Sequence, residues 1–321
     1  MRAVVVHETG GPDVLTVDNP ATPEPAASQA LVEVAASGVN FIDIYQRSGA
    51  YPMSLPFVAG SEAAGTVLAV GDDVAEVAVG DRVAWAMVAE GTYATHAVVP
   101  ADALVGVPDD VELDVAAAVM LQGMTAHFLC TSTYPVHPEE DVLLHAGAGG
   151  VGLLLTQMLV HKGARVFTTA STEAKAELSR EAGATQVLSY DGFAERARTL
   201  SGGRGVDVVY DGVGASTFDQ SLDSLRPRGT LVLFGAASGP VPPMDPQTLN
   251  AKGSLFLTRP SLNHYLADRD ELLARAGAVL DLVRRDVLDV NIGGRYGLEQ
   301  AAAAHEDLAA RRTTGKLLVV P

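Results

Sequence analysis

Cysteine is nearly absent from this chain: Cys130 is the one such residue among 321. No intramolecular disulfide can form, and a zinc site built of cysteines is excluded. Flanked by Phe128 and Leu129, Cys130 is expected to be a buried small hydrophobe and not a reactive thiol. Basic residues are scarce as well. Lys and Arg total 22 against 39 Asp and Glu, a formal charge of −17, and no basic run interrupts that excess. Such a surface repels nucleic acid, so an anionic ligand must meet local positive potential at helix ends and a few side chains. Long apolar runs are missing too. The opening MRAVVVHETGG is too short an apolar stretch for a signal peptide. Residues 115–138 and 142–160 carry no Asp, Glu, Lys or Arg, but the first holds Gln122, Thr125, His127, Pro135 and His137, and the second four glycines. Neither pattern fits a membrane span, and a cytoplasmic protein is expected.

What is present is a globular composition, 48% apolar and 19% charged, in a chain long enough for two domains. Residues 1 to about 120 read as β-rich, with Val-rich runs at 30–34, 65–70 and 81–86 set apart by Gly, Pro and Asp. Residues 20–25 hold three prolines and form a loop. From Val142 the pattern alternates. Strand-like runs at 142–144, 164–170, 186–189, 206–210 and 230–234 are interleaved with helical ones, including 172–182 closed by Gly183. This alternation predicts an α/β fold with a doubly wound parallel sheet, whose ligands sit beyond the carboxyl ends of the strands. The tail from about residue 262 is more helical. Leu298, Ala301, Ala302, His305 and Leu308 make one apolar stripe, and residues 317–320 a last strand.

The stretch HAGAGGVG, His145 to Gly152, follows one of those strands and opens an apolar-striped helix. Strand, glycine-rich turn and helix in that order build a dinucleotide site. Gly149 lets backbone approach a pyrophosphate, Gly152 lets the helix pack closely, and the helix N-terminus offers unpaired N–H groups. Ala146 stands where the first glycine is usual. After the second strand, where NAD-selective sites place an acid for the ribose 2′-hydroxyl, the chain reads Ala170-Ser171-Thr172. Ser171 can donate to a 2′-phosphate and Lys175 can neutralise it. The alternative makes Ser171 a helix cap and pairs Lys175 with Glu173 or Glu177. NADPH is favoured over NADH.

Several blocks together resemble the zinc-independent medium-chain dehydrogenase/reductases, in particular the zeta-crystallin-like quinone oxidoreductases. They are NFID with Tyr45 and RSGAYP (40–52), GSEAAG (60–65), GDRV (80–83), QGMTAHFL (122–129), HAGAGGVG, VVYDGVG (208–214), GSLFLTRPSL (253–262) and RTTGKLLVVP (312–321). Zinc alcohol dehydrogenases carry a cysteine, a His-Glu pair and a further cysteine where this chain has Ser37-Gly38-Val39-Asn40 and Gly60-Ser61-Glu62. Glu62 without His or Cys partners does not make a catalytic zinc site, and no metal-binding residue is expected.

The resemblance implies a GroES-like catalytic domain at residues 1–123 and 263–321, with an inserted Rossmann NADPH-binding domain at 124–262. It also implies a homodimer or larger assembly. Asn40 and Thr125 are expected to orient the nicotinamide or the ligand carbonyl, and Tyr45 and Tyr51 to line the acceptor pocket. Alternatively, Tyr45 packs in a core and Tyr51 caps a turn. On the cofactor side the expected residues are Ala146, Gly149, Gly150, Val151, Gly152, Ser171 and Lys175. Tyr190, Gly214, Phe234, Gly235 and Arg312, or its neighbour Arg311, complete that set. The implied activity is NADPH-dependent reduction of a quinone without metal, which asks mainly for positioning of the nicotinamide against a strong electron acceptor. The competing activity is reduction of an alkenal or enone C=C bond, with Tyr51 as acid for the resulting enolate. A non-catalytic role, as structural or RNA-binding protein, is opposed by the charge and by the cofactor motif.

Overall fold

Residues 29–36 alternate between buried and open positions along the strand Gln29–Val39, with Ala30, Val32, Val34 and Ala36 turned inward, and residues 37–39 are buried throughout. Period-two alternation of this kind builds a sheet with one face on a core. The computed structural model describes residues 1–88 and 91–321, and the chain divides into two compact units. The first comprises Met1–Met124, Leu266–Asp286 and Val290–Pro321; the second comprises Thr125–Tyr265 and Val287–Asp289.

In the first unit Gln29–Val39 is the hub of a seven-stranded sheet. It pairs antiparallel with Glu62–Val70, His96–Pro100 and Lys316–Val320. The last pairing sets Leu317 opposite Val39 and Leu318 opposite Gly38, which brings the start of the final strand beside Asn40. Trp85, Val32, Val67 and Leu104 fill the core under this sheet. The expected strand at 81–86 is Arg82–Ala86, and the expected tail strand begins one residue earlier, at Lys316. Of the apolar stripe of the tail, Leu298 is buried in the short turn Leu298–Gln300 and the rest lies on the helix Ala301–Ala309, where Ala301, Ala304 and His305 are buried.

The second unit is doubly wound. Six parallel strands run in the spatial order Gln186–Leu188, Arg165–Thr169, Asp141–Leu144, Val206–Asp211, Leu225–Leu233, Phe256–Thr258. Strand order reverses between Asp141–Leu144 and Val206–Asp211, so that edge is the switch point at which such sheets take ligands. The central strands are buried along their whole length, Asp141 and Asp207 included, as expected of a sheet covered on both faces. The second helix is Glu173–Glu181, and Gly183 follows it with φ +99° as the left-handed stop. Among the described residues one helix, Leu113–Thr133, is long and apolar enough to cross a membrane by length and composition alone. Of its most apolar stretch, 72% is buried inside the fold, as in a core helix. Cys130 is buried within it, and burial pushes its thiol up to about 12, which keeps it inert.

Candidate active site

In the first unit the helix Phe41–Arg47 is inverted relative to ordinary amphipathic helices. It buries Asp43 and Arg47 and leaves Phe41, Ile44 and Tyr45 half-open. Burying charge is costly unless the charge is bonded, and Asp43 is bonded from three sides. It accepts from the Asn40 backbone N–H at 2.8 Å, from Tyr93 Oη at 3.0 Å and from Ser61 Oγ. On the open side Tyr45 and Tyr51 pack ring to ring, centroids 5.2 Å apart, with Phe41 6.3 Å from Tyr45. Tyr51 is 45% exposed. The three rings form a small aromatic cluster, tilted 37° and 53° from one ring to the next. Phe41 was not among the residues expected from the sequence, although its place one turn before Tyr45 puts it on the same helical face.

A buried ion pair lies beside Asn40, the residue that starts this helix. Lys316 Nζ contacts Glu62 Oε1, and both side chains are almost wholly buried. Glu62 Oε1 also accepts from Asn40 Nδ2 at 2.7 Å, and its Oε2 accepts from the Leu121 N–H at 2.6 Å. Lys316 donates a second time, to Asn40 Oδ1 at 2.8 Å. Burial pushes the Lys316 ammonium below its ordinary value, while the neighbouring Glu62 pulls it back. Gly38 is required here: a Cβ would stand 2.3 Å from Glu62 Oε1 and 2.5 Å from Lys316 Cε. The one acid left at the zinc-enzyme position is therefore committed to an ammonium. Among the described residues no group of three or more His, Cys, Asp and Glu side chains is arranged to hold a metal ion.

In the second unit the turn after strand Asp141–Leu144 is built as the motif requires, with two refinements. Ala146 adopts φ +55° and is exposed, accepting a left-handed conformation that glycine takes at no cost. Gly152 is the tightest position, since a Cβ would sit 2.2 Å from the Ala146 carbonyl oxygen; the helix packs against the turn itself. Gly147, not foreseen, is as confined: a Cβ would meet Ser179 Oγ at 2.3 Å and Thr168 Cβ at 2.6 Å. The helix Gly150–His161 starts from Gly149 with no side-chain cap, so its first N–H groups, including those of Gly150 and Val151, have no cap to satisfy them.

His145 braces this turn from beneath. Ser221 Oγ donates to Asp211 Oδ2 at 2.9 Å, so its oxygen receives the Nε2 proton of His145 at 2.9 Å. The bare Nδ1 then accepts from Thr169 Oγ1 at 3.1 Å, and Thr169 Oγ1 in turn accepts from the Ala146 N–H at 3.2 Å. Burial lowers the His145 pKa to about 4, against the pull of Asp211, and keeps the ring neutral. Asp211 Oδ1 holds the N–H groups of Val213 and Gly214. The carboxyl ends of three strands are thus locked together at the switch point. Tyr190 stacks on His145 at 6.2 Å. The Phe234 ring lies over Gly212, and a Cβ at Gly235 would stand 2.4 Å from the Gly212 carbonyl oxygen.

At the end of strand Arg165–Thr169, Thr172 and not Ser171 caps the next helix, accepting from the Lys175 N–H at 3.3 Å. Ser171 is exposed there and Lys175 half-buried one turn on. Glu173 and Glu177 are both engaged by Arg180, at 2.8 and 2.6 Å. Arg312, in the first unit, makes a surface ion pair with Asp307 through Nε and Nη2 at 2.9 and 2.7 Å. Thr125 is half-buried on the helix Leu113–Phe128.

A family model described as zinc-binding dehydrogenase matches residues 150–267, and one described as alcohol dehydrogenase GroES-like domain matches residues 26–109. The quinone oxidoreductase of Salmonella typhimurium is 43% identical over 320 residues, spanning 98% of each chain. The chain belongs to the quinone oxidoreductase family. Within that family it is also 40% identical over 330 residues to the 2-haloacrylate reductase of a Burkholderia species, covering 100% of this chain and 99% of the relative. A mycobacterial protein solved in complex with NADPH superposes over the full length of both chains, with a TM-score of 0.97 and 53% identity. The GroES-like and Rossmann-type parts expected of a quinone oxidoreductase are both present.

Proposed function

We propose that this oxidoreductase reduces quinones with electrons from NADPH and needs no metal to do so. The observation that carries the reading is the half-open aromatic cluster of Phe41, Tyr45 and Tyr51 in the same unit as an acid, Glu62, already paired with Lys316. Aromatic surface with few polar groups suits a quinone ring. When bound, NADPH supplies the hydride from C4 of its nicotinamide.

The residues present fit that cofactor. The uncapped start of the helix at Gly150 offers N–H groups and a positive dipole end to the pyrophosphate, and the exposed Ala146 and the small Gly149 leave backbone approachable. Ser171 and Lys175 take the 2′-phosphate, a role helped by the engagement of Glu173 and Glu177 with Arg180. Tyr190, Gly214, Phe234 and Gly235 border the rest of the cofactor. Arg312, or its neighbour Arg311, is assigned to the cofactor on the family resemblance alone. Thr125 orients the nicotinamide or the acceptor carbonyl, Asn40 acts through the buried cluster it joins with Lys316 and Glu62, and Tyr45 and Tyr51 flank the acceptor. Protons reach the reduced oxygen from solvent on the open side of Tyr51. In this reading residues 1–123 and 263–321 form the catalytic domain and 124–262 the NADPH domain.

We further propose a cytoplasmic homodimer. Strand Phe256–Thr258 ends the parallel sheet with one edge unpaired among the described residues, and Phe256 and Leu257 are 61% and 36% exposed on it. The single buried cysteine suits a reducing compartment.

The likeness to 2-haloacrylate reductase favours a second reading, C=C reduction of an activated alkene, with Tyr51 as proton donor. NADPH oxidation followed side by side with 1,4-benzoquinone, 9,10-phenanthrenequinone and a series of 2-alkenals decides between them. Quinones are expected to give the higher kcat/KM. A clear preference for alkenals overturns the first reading.

A further inference from the structure

Asn40 has no hydrogen bond left to offer a ligand. Its Oδ1 accepts from Lys316 Nζ at 2.8 Å and from Gln122 Nε2 at 3.3 Å. Its Nδ2 donates to Glu62 Oε1 at 2.7 Å and to the Gly38 carbonyl at 3.3 Å. A primary amide has two donor hydrogens and two acceptor lone pairs, so this carboxamide is saturated within the protein.

The charges also fix which way the amide points. An ammonium only donates and therefore faces the Asn40 oxygen; a carboxylate only accepts and therefore faces its nitrogen. That polarity is handed on. Gln122 must present Nε2 to Asn40 Oδ1, which turns its own Oε1 away from the cluster. Oε1 is buried and has no hydrogen-bond partner among the described residues. Leaving a buried acceptor unpaired is costly, and such atoms mark places where a donor from elsewhere belongs.

We propose that Gln122 is a ligand-contacting residue of the quinone reductase site, its Oε1 accepting a hydrogen bond from an N–H or O–H of the bound ligand. Lys316, Glu62 and Asn40 are positioning residues that act through it. The inference rests on the quinone reductase reading and moves the polar contact expected of Asn40 one side chain outward. Two ligand groups have the required chemistry: the carboxamide N–H of the nicotinamide and the hydroxyl of the reduced acceptor.

Gln122→Met keeps the length of the side chain and removes the amide. Its NADPH Kd is read by fluorescence titration, its kcat/KM by NADPH oxidation with 1,4-benzoquinone, and its folding by thermal melting. With a wild-type melting temperature, a roughly tenfold rise in NADPH Kd assigns the partner to the nicotinamide carboxamide. A loss of about tenfold in kcat/KM with unchanged Kd assigns it to the acceptor. Asn40→Ala, alone and combined with Gln122→Met, reads the relay: the double variant is expected to lose no more than the worse single one. Unchanged Kd and kcat/KM in Gln122→Met, with an active parent, overturns the proposal and leaves Oε1 holding only a water molecule. A parent that turns over no quinone fails the parent reading instead, while the NADPH titration still reads Gln122.

Discussion

The Tyr93 hydroxyl donates to Asp43 Oδ2 at 3.0 Å and meets His305 Nε2 at 3.2 Å, joining a buried acid to a buried imidazole through one phenol. Burial moves the two groups in opposite senses. It raises Asp43 to about 6, against the hydrogen bonds from Ser61, the Asn40 N–H and Tyr93, and it lowers His305 to about 3, helped by the charge of Arg47. His145 is likewise lowered to about 4.

These shifts predict how stability responds to acid. Between about pH 4 and 6 native Asp43 holds a proton that the unfolded chain releases, so its contribution is full at low pH and is lost as pH rises. The two histidines do the reverse: the unfolded chain binds protons below about 6.5 that the native one refuses, so their contribution is lost as pH falls. Two terms oppose one, and net stability should drop on acidification by about 1–2 kcal/mol per pH unit. Asp43→Asn removes the opposing term. Urea unfolding from pH 7 to 4 should show the variant losing stability more steeply than wild type below pH 6, by about 1 kcal/mol per pH unit. Parallel curves would mean that the Asp43 carboxyl is not raised.

The cofactor assignment predicts a selective loss. Lys175→Ala should weaken NADPH by about 1.5–3 kcal/mol, the scale of a charge-assisted hydrogen bond, and leave NADH almost unaffected. Thr172 already caps the helix, so the substitution does not disturb its start. Fluorescence titration with both nucleotides measures the difference. Equal weakening of the two would place the 2′-phosphate elsewhere.

The legible part of this protein is the part that is local. HAGAGGVG, the strand ends at Asp211 and Phe234, and Gly183 as a helix stop all depend on residues within one turn of each other. Gly147 stayed hidden because its neighbours, Ser179 and Thr168, come from other elements. The inversion of Phe41–Arg47 is invisible to periodicity, since helices normally bury their apolar face, and here three donors from Asn40, Ser61 and Tyr93 decide otherwise. Lys316 illustrates the limit best. It lies 254 positions from Glu62, and nothing in the local sequence of either residue announces the partner.

That pair yields the last prediction. Each charge is almost wholly buried, so each depends on the other for its solvation. Lys316→Met should leave Glu62 facing Asn40 and the Leu121 N–H with no counter-charge, at a cost of about 3–5 kcal/mol in urea unfolding at pH 7. Glu62→Gln added to Lys316→Met removes the stranded charge while retaining an acceptor for Leu121, and should recover at least half of that loss. The coupling read from this cycle separates a true ion pair from two independent packing contributions. If the double variant loses the sum of the single losses, the two side chains are not coupled. The strand Lys316–Val320 would then owe its register to backbone pairing with residues 37–39 on one side and 292–297 on the other.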